Sequence, residues 1–351
     1  MRKLTGGFTA VTVFGVGIHA GTELRPDTSF PPLPEAVASF GAATADGWVY
    51  VYGGHRGERH QYNAEDVSGA FHRLNLAHPA QWERLAGSQP LQGTTLVPRG
   101  SVLYRIGGMA AQNRRGEPAE LRSTASVERF EVSRASWESL PPLPAPRSSH
   151  DAAIVGDMVY VGGGWRLDGG ASKGIWHDTL MALDLSRADA SWQSLPQPFQ
   201  RRALAMAALG SKLYFLGGID PEGNRSLAVD VFDTVAGTWS SGPGLPPGPM
   251  QGFGCSAMTL ADRVYFSGLK GQLHRLSATD NAWEAVARLR HARFFHRLVP
   301  AGATGVLALG GEDSEAKRDD LEYLSVAGPA PGAVETRLDN PPAHPARVAH
   351  P

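Results

Sequence analysis

The chain has 351 residues and nearly balanced charge, with 33 lysines and arginines against 34 aspartates and glutamates. This balance gives no electrostatic case for nucleic acid or an anionic membrane as a partner. The single cysteine, Cys255, excludes an internal disulfide framework and a cysteine-rich zinc site. Forty-two glycines and 26 prolines against 19% charged residues indicate many strands joined by tight turns.

The first 20 residues have the pattern of an export signal. Arg2 and Lys3 precede a modestly apolar stretch without aspartate, glutamate, lysine or arginine, which ends at Ala20. We therefore expect residues 1–20 to be a signal peptide, the mature chain to begin at Gly21, and the protein to be periplasmic or extracellular. A leader retained on a cytoplasmic protein is the alternative. No later stretch approaches the roughly 20 apolar residues of a membrane-spanning helix, so no transmembrane segment is predicted.

A unit of strands and turns then recurs along the chain. It is clearest in Trp137–Gly164, where a proline-rich corner leads into two hydrophobic runs separated by Gly156-Asp157, the pattern of an antiparallel hairpin. The second run ends in paired glycines, and the first glycine of the pair recurs at Gly53, Gly107, Gly163, Gly217, Gly268 and Gly310. A tryptophan follows five of these positions, at Trp82, Trp137, Trp192, Trp239 and Trp283. A period of about 50 residues with four strands per copy is typical of a β-propeller.

The glycines and tryptophans of the repeat have physical reasons to be there. A strand that ends at the crowded mouth of a ring must turn sharply, and glycine takes a positive φ without steric cost. The tryptophans are large enough to fill the space between neighbouring blades. We therefore predict scaffold roles for both, with Cys255 as a small buried residue.

The repeat resembles that of kelch-repeat proteins, over residues 30–326. The resemblance implies an all-β, six-bladed β-propeller with four-stranded blades, which would form one domain over residues 21–326. The sixth copy lacks its tryptophan strand, so we expect the segment before Phe30, with Pro26 in it, to supply an outer strand that closes the ring. We expect a monomer, with residues 327–351 forming a disordered, proline-rich tail.

Function is expected on the rim that carries the paired glycines, since the proline corners and the loops after the glycines meet there. The loops after the first three glycine pairs are the longest, and loops on a rigid scaffold commonly carry specificity. The first loop offers candidate ligand-binding residues, which are His55, Arg56, Arg59, His60 and Tyr62. Hydrogen-bonding groups beside an aromatic ring suit a glycan, another polar small molecule or a protein loop. The alternative is a solvated loop held by its own salt bridges.

Other candidates lie around the same rim. Arg147, His150 and His296 stand where first strands begin, and an arginine there could bind a carboxylate through two hydrogen bonds. Trp165 and Trp176 bracket the third loop and could offer a stacking surface. Arg225 and Glu312 belong to the fourth and sixth loops. Bridging between strands and inner packing are the alternative roles.

No metal site or cofactor is predicted. The spacing of His55 and His60 matches no established zinc motif. Copper-radical sugar oxidases also have kelch-like propellers, but their cofactor needs a cysteine crosslinked to a tyrosine, and Cys255 begins a strand without that setting.

The last blade, ARFFHRLVPAGATGVLALGGEDSEAKRDDLEYLSV, resembles that of the exported N-acetylneuraminate mutarotase group. In that group a proposed acid/base glutamate follows a glycine in the fourth blade, with an arginine six residues further on. Arg225 matches the arginine here, whereas Ile219 stands in place of the glutamate. Asp220 and Glu222 are the nearest acidic candidates for a catalytic role. Two functions are thus expected: a binding module for a carbohydrate or protein loop, or a sugar-acting enzyme.

Overall fold

The computed structural model describes residues 29–170 and 173–327, which form antiparallel strands and one 3-10 turn, Ala64–Asp66. In this part of the chain no helix has the length and apolar character to cross a membrane. The predicted signal peptide, most of the predicted closing strand and nearly all of the predicted tail lie outside the described residues.

The first three blades surround one half of a central pore, with the first strand of each blade innermost. Blade 1 consists of β1 (Gly41–Ala45), β2 (Trp48–His55), β3 (Val67–Asn75) and β4 (Glu83–Leu85). Blade 2 consists of β5 (Thr95–Arg99), β6 (Val102–Ile106), β9 (Val127–Glu131) and β10 (Ser136–Ser139), and its rim loop forms the hairpin β7 (Met109–Ala111) and β8 (Leu121–Ser123). Blade 3 consists of β11 (Ser148–Val155), β12 (Met158–Arg166), β14 (Thr179–Asp184) and β15 (Gln193–Pro196), and β13 (Ile175–Trp176) pairs with β12.

The other three blades complete the ring and confirm the predicted six-bladed propeller. Blade 4 consists of β16 (Ala205–Leu209), β17 (Lys212–Leu216), β18 (Val229–Asp233) and β19 (Thr238–Ser241). Blade 5 consists of β20 (Ser256–Leu260), β21 (Arg263–Ser267), β22 (Gln272–Leu276) and β23 (Trp283–Arg288). Blade 6 consists of β24 (Arg297–Pro300), β25 (Gly305–Leu309) and β26 (Leu321–Ser325). The backbone N–H of Leu33 donates to the carbonyl of Asp319 over 2.7 Å, so the chain that leads into blade 1 is fastened to blade 6.

The hydrophobic core lies between the blades. Successive side chains of a strand point to opposite faces of its sheet, and in β2 this sends Val49 and Val51 toward blade 6 and Tyr50 and Tyr52 toward blade 2. Six such clusters occur among the described residues, one at each contact of neighbouring blades. Because both faces of each sheet are buried, the strands read as hydrophobic runs in the sequence.

The repeated glycines and tryptophans have the predicted scaffold roles. The first glycine of each pair is left-handed in five blades, with φ of 67° at Gly53 and 54° at Gly107. Each repeated tryptophan donates its indole N–H to a backbone carbonyl in the segment that leads from the preceding blade into its own, as Trp137 does to Ala86 over 2.9 Å. Cys255 is buried, and this burial raises the pKa of its thiol to about 12.

A closed ring of backbone hydrogen bonds surrounds the pore at the glycine rim. In each blade one residue at or just before the start of the first strand donates its N–H to the carbonyl of its counterpart in the preceding blade, at 2.7 to 3.0 Å. These six residues, which we call the pore ring, are Ser39, Gly93, Ser149, Ala203, Gly254 and Phe295. All six have a left-handed φ between 52° and 66°.

One ion pair connects opposite sides of the propeller. Arg297 of blade 6 lies 3.2 Å from the carboxylate of Asp151 in blade 3, and it also donates to the carbonyls of Phe40 and Thr94. Asp151 in turn accepts hydrogen bonds from Thr95 and from the backbone N–H of Met206. Five blades therefore meet in one buried polar network.

Candidate functional site

A cavity of about 280 Å³ lies over the pore ring on the glycine rim. Its wall is built by the loops of blades 1, 2 and 3 together with parts of blades 4 and 6. The polar lining residues are Ser39, His55, Arg59, His60, Tyr62, Gln92, Ser149, Trp165, Arg202 and Glu312. The apolar lining residues are Ala38, Met109, Ala119, Leu121, Leu167 and Phe295, with Gly170 completing the wall. The cavity is of a size for a small molecule.

Two positions of the repeat supply much of this wall. One is the residue immediately before each pore-ring residue, and the other is the residue immediately after each glycine pair. The two positions face each other as backbone-bonded pairs, namely Ala38 with His55, Gln92 with Met109, Ser148 with Trp165, Arg202 with Ile219, and Phe294 with Glu312. The identity of these residues in each blade therefore determines the chemistry of the wall.

The first loop is held in shape by its own hydrogen bonds. The ring Nε2 of His55 lies 2.8 Å from the carbonyl of Gln61, and the rings of His55 and Tyr62 are 5.3 Å apart. Asn63 caps the 3-10 turn by accepting from the N–H of Asp66. Burial, with the positive charge of Lys317, lowers the pKa of His55, so its imidazole is neutral at pH 7. His60 has a φ of 63°, a conformation uncommon outside glycine.

Glu312 of blade 6 faces this loop with its charge already compensated. Its carboxylate lies 3.4 Å from the guanidinium of Arg59 and 3.4 Å from the ammonium of Lys317. Lys317 also donates to the carbonyl of Gly57, and Arg59 donates to the carbonyl of Asp313. The first and last blades are thus joined by a charged contact at the edge of the cavity.

Arg202 forms the opposite wall within an aromatic surround. Its guanidinium carbon lies 4.1 Å from the ring centroid of Trp165, 5.5 Å from that of Trp176 and 5.8 Å from that of Phe253. Burial lowers the pKa of this guanidinium, and the neighbouring Tyr62 acts against that shift. Burial likewise raises the pKa of Tyr62, against the effect of the Arg202 charge. Arg202 remains a cation at pH 7 because an arginine pKa lies far above that pH.

The structure brings half of the predicted ligand-binding residues to this cavity. Those on the wall are His55, Arg59, His60, Tyr62, Trp165 and Glu312. Trp176 stands behind Trp165, with ring centroids 5.6 Å apart, and supports it rather than lining the cavity. Arg56 lies outside the wall, because its guanidinium pairs with Glu35 and donates to the carbonyl of Glu65.

Three other predicted residues, Arg147, His150 and His296, are buried in the scaffold. The guanidinium of Arg147 donates to carbonyls of β12 and β14 and to the hydroxyl of Thr179, which clamps the strands of its own blade. Burial lowers the pKa of Arg147 to about 9 and places the pKa values of His150 and His296 well below their ordinary range. Nε2 of His296 lies 2.7 Å from the hydroxyl of Ser267. These positions do not form part of the cavity wall.

The catalytic candidates of blade 4 also lie off the wall. The carboxylate of Asp220 accepts from the backbone N–H of Asn224 over 2.7 Å and from its side-chain amide over 3.0 Å, which closes a surface turn. Slight burial acts to raise the pKa of Asp220, but these hydrogen bonds outweigh it and lower that pKa. Glu222 and Arg225 are exposed on the same turn. An ionised carboxylate in a turn is poorly suited to act as a general acid.

The remaining wall residues were not among the predicted site residues. Arg202 and Gln92 occupy the position before the pore ring, and Met109 occupies the position after the glycine pair. Aligning these two positions across the blades would have singled them out, whereas the apolar side chains of the second and third loops carry no such signal. Across the described ranges, no three histidine, cysteine, aspartate or glutamate side chains come together as a metal site requires.

Similarity to known proteins agrees with the fold. A family model described as the kelch motif matches residues 200–246. The chain is 25% identical to the kelch repeat and BTB domain-containing protein 12 of Danio rerio over 68% of this chain and 41% of that protein. It is 27% identical to the kelch-like protein terF of Aspergillus terreus over 60% of this chain and 46% of that protein. It is 30% identical to the kelch domain-containing protein 8B of Rattus norvegicus over 40% of this chain and 39% of that protein.

The chain spans less than half the length of these curated relatives. Among solved structures, that of YjhT superimposes with a TM-score of 0.65 over 84% of this chain and 97% of its own, at 18% sequence identity. At this level of sequence identity the likeness shows a shared fold and no more. The repeats, the six blades and the matches together support a kelch-repeat β-propeller.

Proposed function

We propose that this kelch-repeat β-propeller is a binding module that takes up a small polar ligand in the cavity over its pore ring. The observation that carries the proposal is the convergence of polar and aromatic side chains from blades 1, 3, 4 and 6 on one cavity. Convergent polar groups in a concave, partly apolar site are typical of ligand pockets. The first loop suits carbohydrates, sugar acids and other small molecules with polar groups. A volume of about 280 Å³ favours such a molecule over a protein loop.

A sugar-acting enzyme is less well supported by the same geometry. The acid/base chemistry that the mutarotase resemblance implies needs a carboxyl group within hydrogen-bonding reach of the substrate. Asp220 and Glu222 lie on a surface turn away from the wall, and the carboxylate of Glu312 is engaged by two cations. Binding without a chemical step is therefore the function that we propose.

Replacing Tyr62 by alanine should weaken ligand binding about tenfold, because the ligand loses an aromatic contact worth roughly 1.4 kcal/mol. The panel to be screened by thermal shift contains neutral monosaccharides, sugar acids and small carboxylic acids, and calorimetry then measures the dissociation constant of each binder. Arg56→Ala is the matched control, since Arg56 belongs to the same loop but lies outside the wall. If both substitutions weaken binding equally, the loop matters only for its fold. If nothing in the panel binds, the proposal fails.

We also propose that the protein is exported, because Met1–Ala20 has a basic start and an apolar continuation. Export predicts a secreted chain that begins at Gly21, which intact-mass spectrometry would show. A secreted chain that retains Met1 would contradict cleavage at that site.

A further inference from the structure

We propose that the ligand of this cavity is a compact monocarboxylate with an apolar body, and that Arg202 holds its carboxylate. The inference rests on the proposed binding function and specifies the chemical class of the ligand. It starts from the charge, the hydrogen-bond donors and the apolar part of the wall.

Arg202 differs from the other arginines around the pore in having neither an acidic partner nor a hydrogen-bond partner for its guanidinium among the described residues; Arg147, which also makes no ion pair, donates to three carbonyls. The neighbouring Arg201 pairs with Asp230, and Arg293 pairs with Asp320 and Glu322. The guanidinium of Arg202 makes no ion pair and no hydrogen bond with any residue in the ranges 29–170 and 173–327; its carbon lies 4.1 to 5.8 Å from the ring centroids of Trp165, Trp176 and Phe253. A half-buried cation without a counter-charge is costly, and an anion bound beside it would remove that cost.

The cavity wall is also rich in hydrogen-bond donors. Three buried nitrogens on lining residues, Nε of Arg202, Nε1 of Trp165 and Nε2 of Gln92, have no acceptor in the part of the chain that the structure describes. Glu312, the one carboxylate on the wall, is already engaged by Arg59 and Lys317. Buried donors are usually satisfied, and these three nitrogens, although closed off from solvent, show that the described residues themselves place no acceptor beside them.

The net charge of the wall indicates a singly charged anion. Among the lining side chains the charges of Arg59 and Glu312 cancel, which leaves Arg202 without a counter-charge; Lys317, the second cation beside Glu312, does not line the cavity. The planar guanidinium matches the two oxygens of a carboxylate, with two parallel N–H···O bonds. A doubly charged phosphate would retain one uncompensated negative charge in a partly buried site, so a carboxylate is favoured.

The apolar part of the wall indicates the chemical character of the rest of the ligand. Six lining residues are apolar, and they are Ala38, Met109, Ala119, Leu121, Leu167 and Phe295. Hydroxyl groups placed against such a surface would lose their hydrogen bonds to water without replacement. The volume of about 280 Å³ is that of a small-molecule site. A compact acid with an apolar body meets these conditions better than a polyhydroxylated ring.

Titration calorimetry with two probes of nearly equal shape tests the charge requirement. Phenylacetate should bind at least about tenfold more tightly than phenylacetamide, because only the acid supplies an anion to the guanidinium. Glucuronate and glucose test the apolar body, and both should bind more weakly than phenylacetate. Phenyl phosphate tests the charge number and should also bind more weakly.

Two substitutions at one position test the role of Arg202. Arg202→Met keeps an apolar chain beside Trp165, and it should weaken phenylacetate binding roughly 10- to 100-fold while leaving phenylacetamide nearly unchanged. Arg202→Lys keeps the charge without the planar fork and should give an intermediate loss. Arg225→Met is the matched control, since Arg225 is an exposed arginine of the same blade on the same rim, and binding should be unchanged.

The outcomes separate this inference from the proposed function. Equal binding of phenylacetate and phenylacetamide, or an Arg202→Met variant that binds phenylacetate normally, overturns the carboxylate site. Tighter binding of glucuronate or glucose overturns the apolar body but leaves the binding function intact. If Arg202→Met does not fold, the comparison of acid and amide on the unmodified protein and the Arg202→Lys variant decide. If no compound binds, the proposed function itself fails.

Discussion

Replacing Gly107 by alanine should lower the free energy of unfolding by roughly 2–5 kcal/mol. An added Cβ would lie 2.4 Å from the carbonyl oxygen of Arg147 and 2.7 Å from the ring of His150. The clash is between neighbouring blades, and relieving it requires backbone movement, at a cost of about 1–3 kcal/mol. The left-handed φ of 54° adds about 1–2 kcal/mol for a residue with a side chain.

Gly100 provides the control for this substitution in the same blade. Its φ of 57° is nearly the same, but an added Cβ would meet nothing within 4 Å. Gly100→Ala should therefore cost only the conformational term of about 1–2 kcal/mol. Denaturant unfolding of both variants measures the difference. Equal losses would show that the approach of the two blades is not what requires glycine at position 107.

Replacing Asp151 by alanine should destabilise the protein by about 3–5 kcal/mol, since the substitution leaves the charge of Arg297 in a buried site without its partner. The side chain of Asp151 is 5% exposed and that of Arg297 is 20% exposed. Met206 and Thr95 would also lose the acceptor of their hydrogen bonds. Thermal and denaturant unfolding should report the loss as one earlier transition, because the network joins five blades.

Asp157→Ala is the control, since Asp157 pairs with Arg99 at the surface with its side chain 57% exposed. An exposed pair of this kind contributes about 0–1 kcal/mol. In addition, Arg297→Met combined with Asp151→Ala should recover part of the lost stability, because the double variant leaves no unpaired charge. A double variant less stable than Asp151→Ala alone would argue against charge burial as the cause.

The sequence predicted the architecture because the architecture is repeated. Five of the six copies carry the complete glycine pair and five carry the tryptophan. The repeat is therefore recognisable despite single departures, such as Leu269 in place of the second glycine of blade 5. The rim was predicted by the same reasoning, since the order of strands places corners and post-glycine loops together. His55 and Tyr62 could be chosen because polar and aromatic residues are dense in one loop.

The site was harder to predict than the fold because neighbouring residues of one corner can differ in environment, one being buried in the blade and the next lining the cavity. Arg201 is buried and donates to carbonyls of its own blade, whereas Arg202 stands on the cavity wall. Which of the two arginines faces the cavity depends on the residue that follows them, Ala203, which has a left-handed φ. An alanine in a sequence gives no indication of that conformation. The pairing of Arg59 with Glu312 also required closure of the ring, which brings the first and last loops together.

The pore ring has an electrostatic consequence for the site above it. The N–H of each ring residue points to the preceding blade and its C=O points to the next blade, so the hydrogen bonds follow one another around a circle and their dipoles nearly cancel. A helix N-terminus, by contrast, aligns its peptide dipoles and attracts anions through the backbone alone. The floor of this cavity therefore contributes little field of its own, and the sign of the ligand it accepts is left to the side chains of the wall. A propeller built in this way can exchange one ligand for another through substitutions at the rim, while the hydrogen-bonded circle beneath remains unchanged.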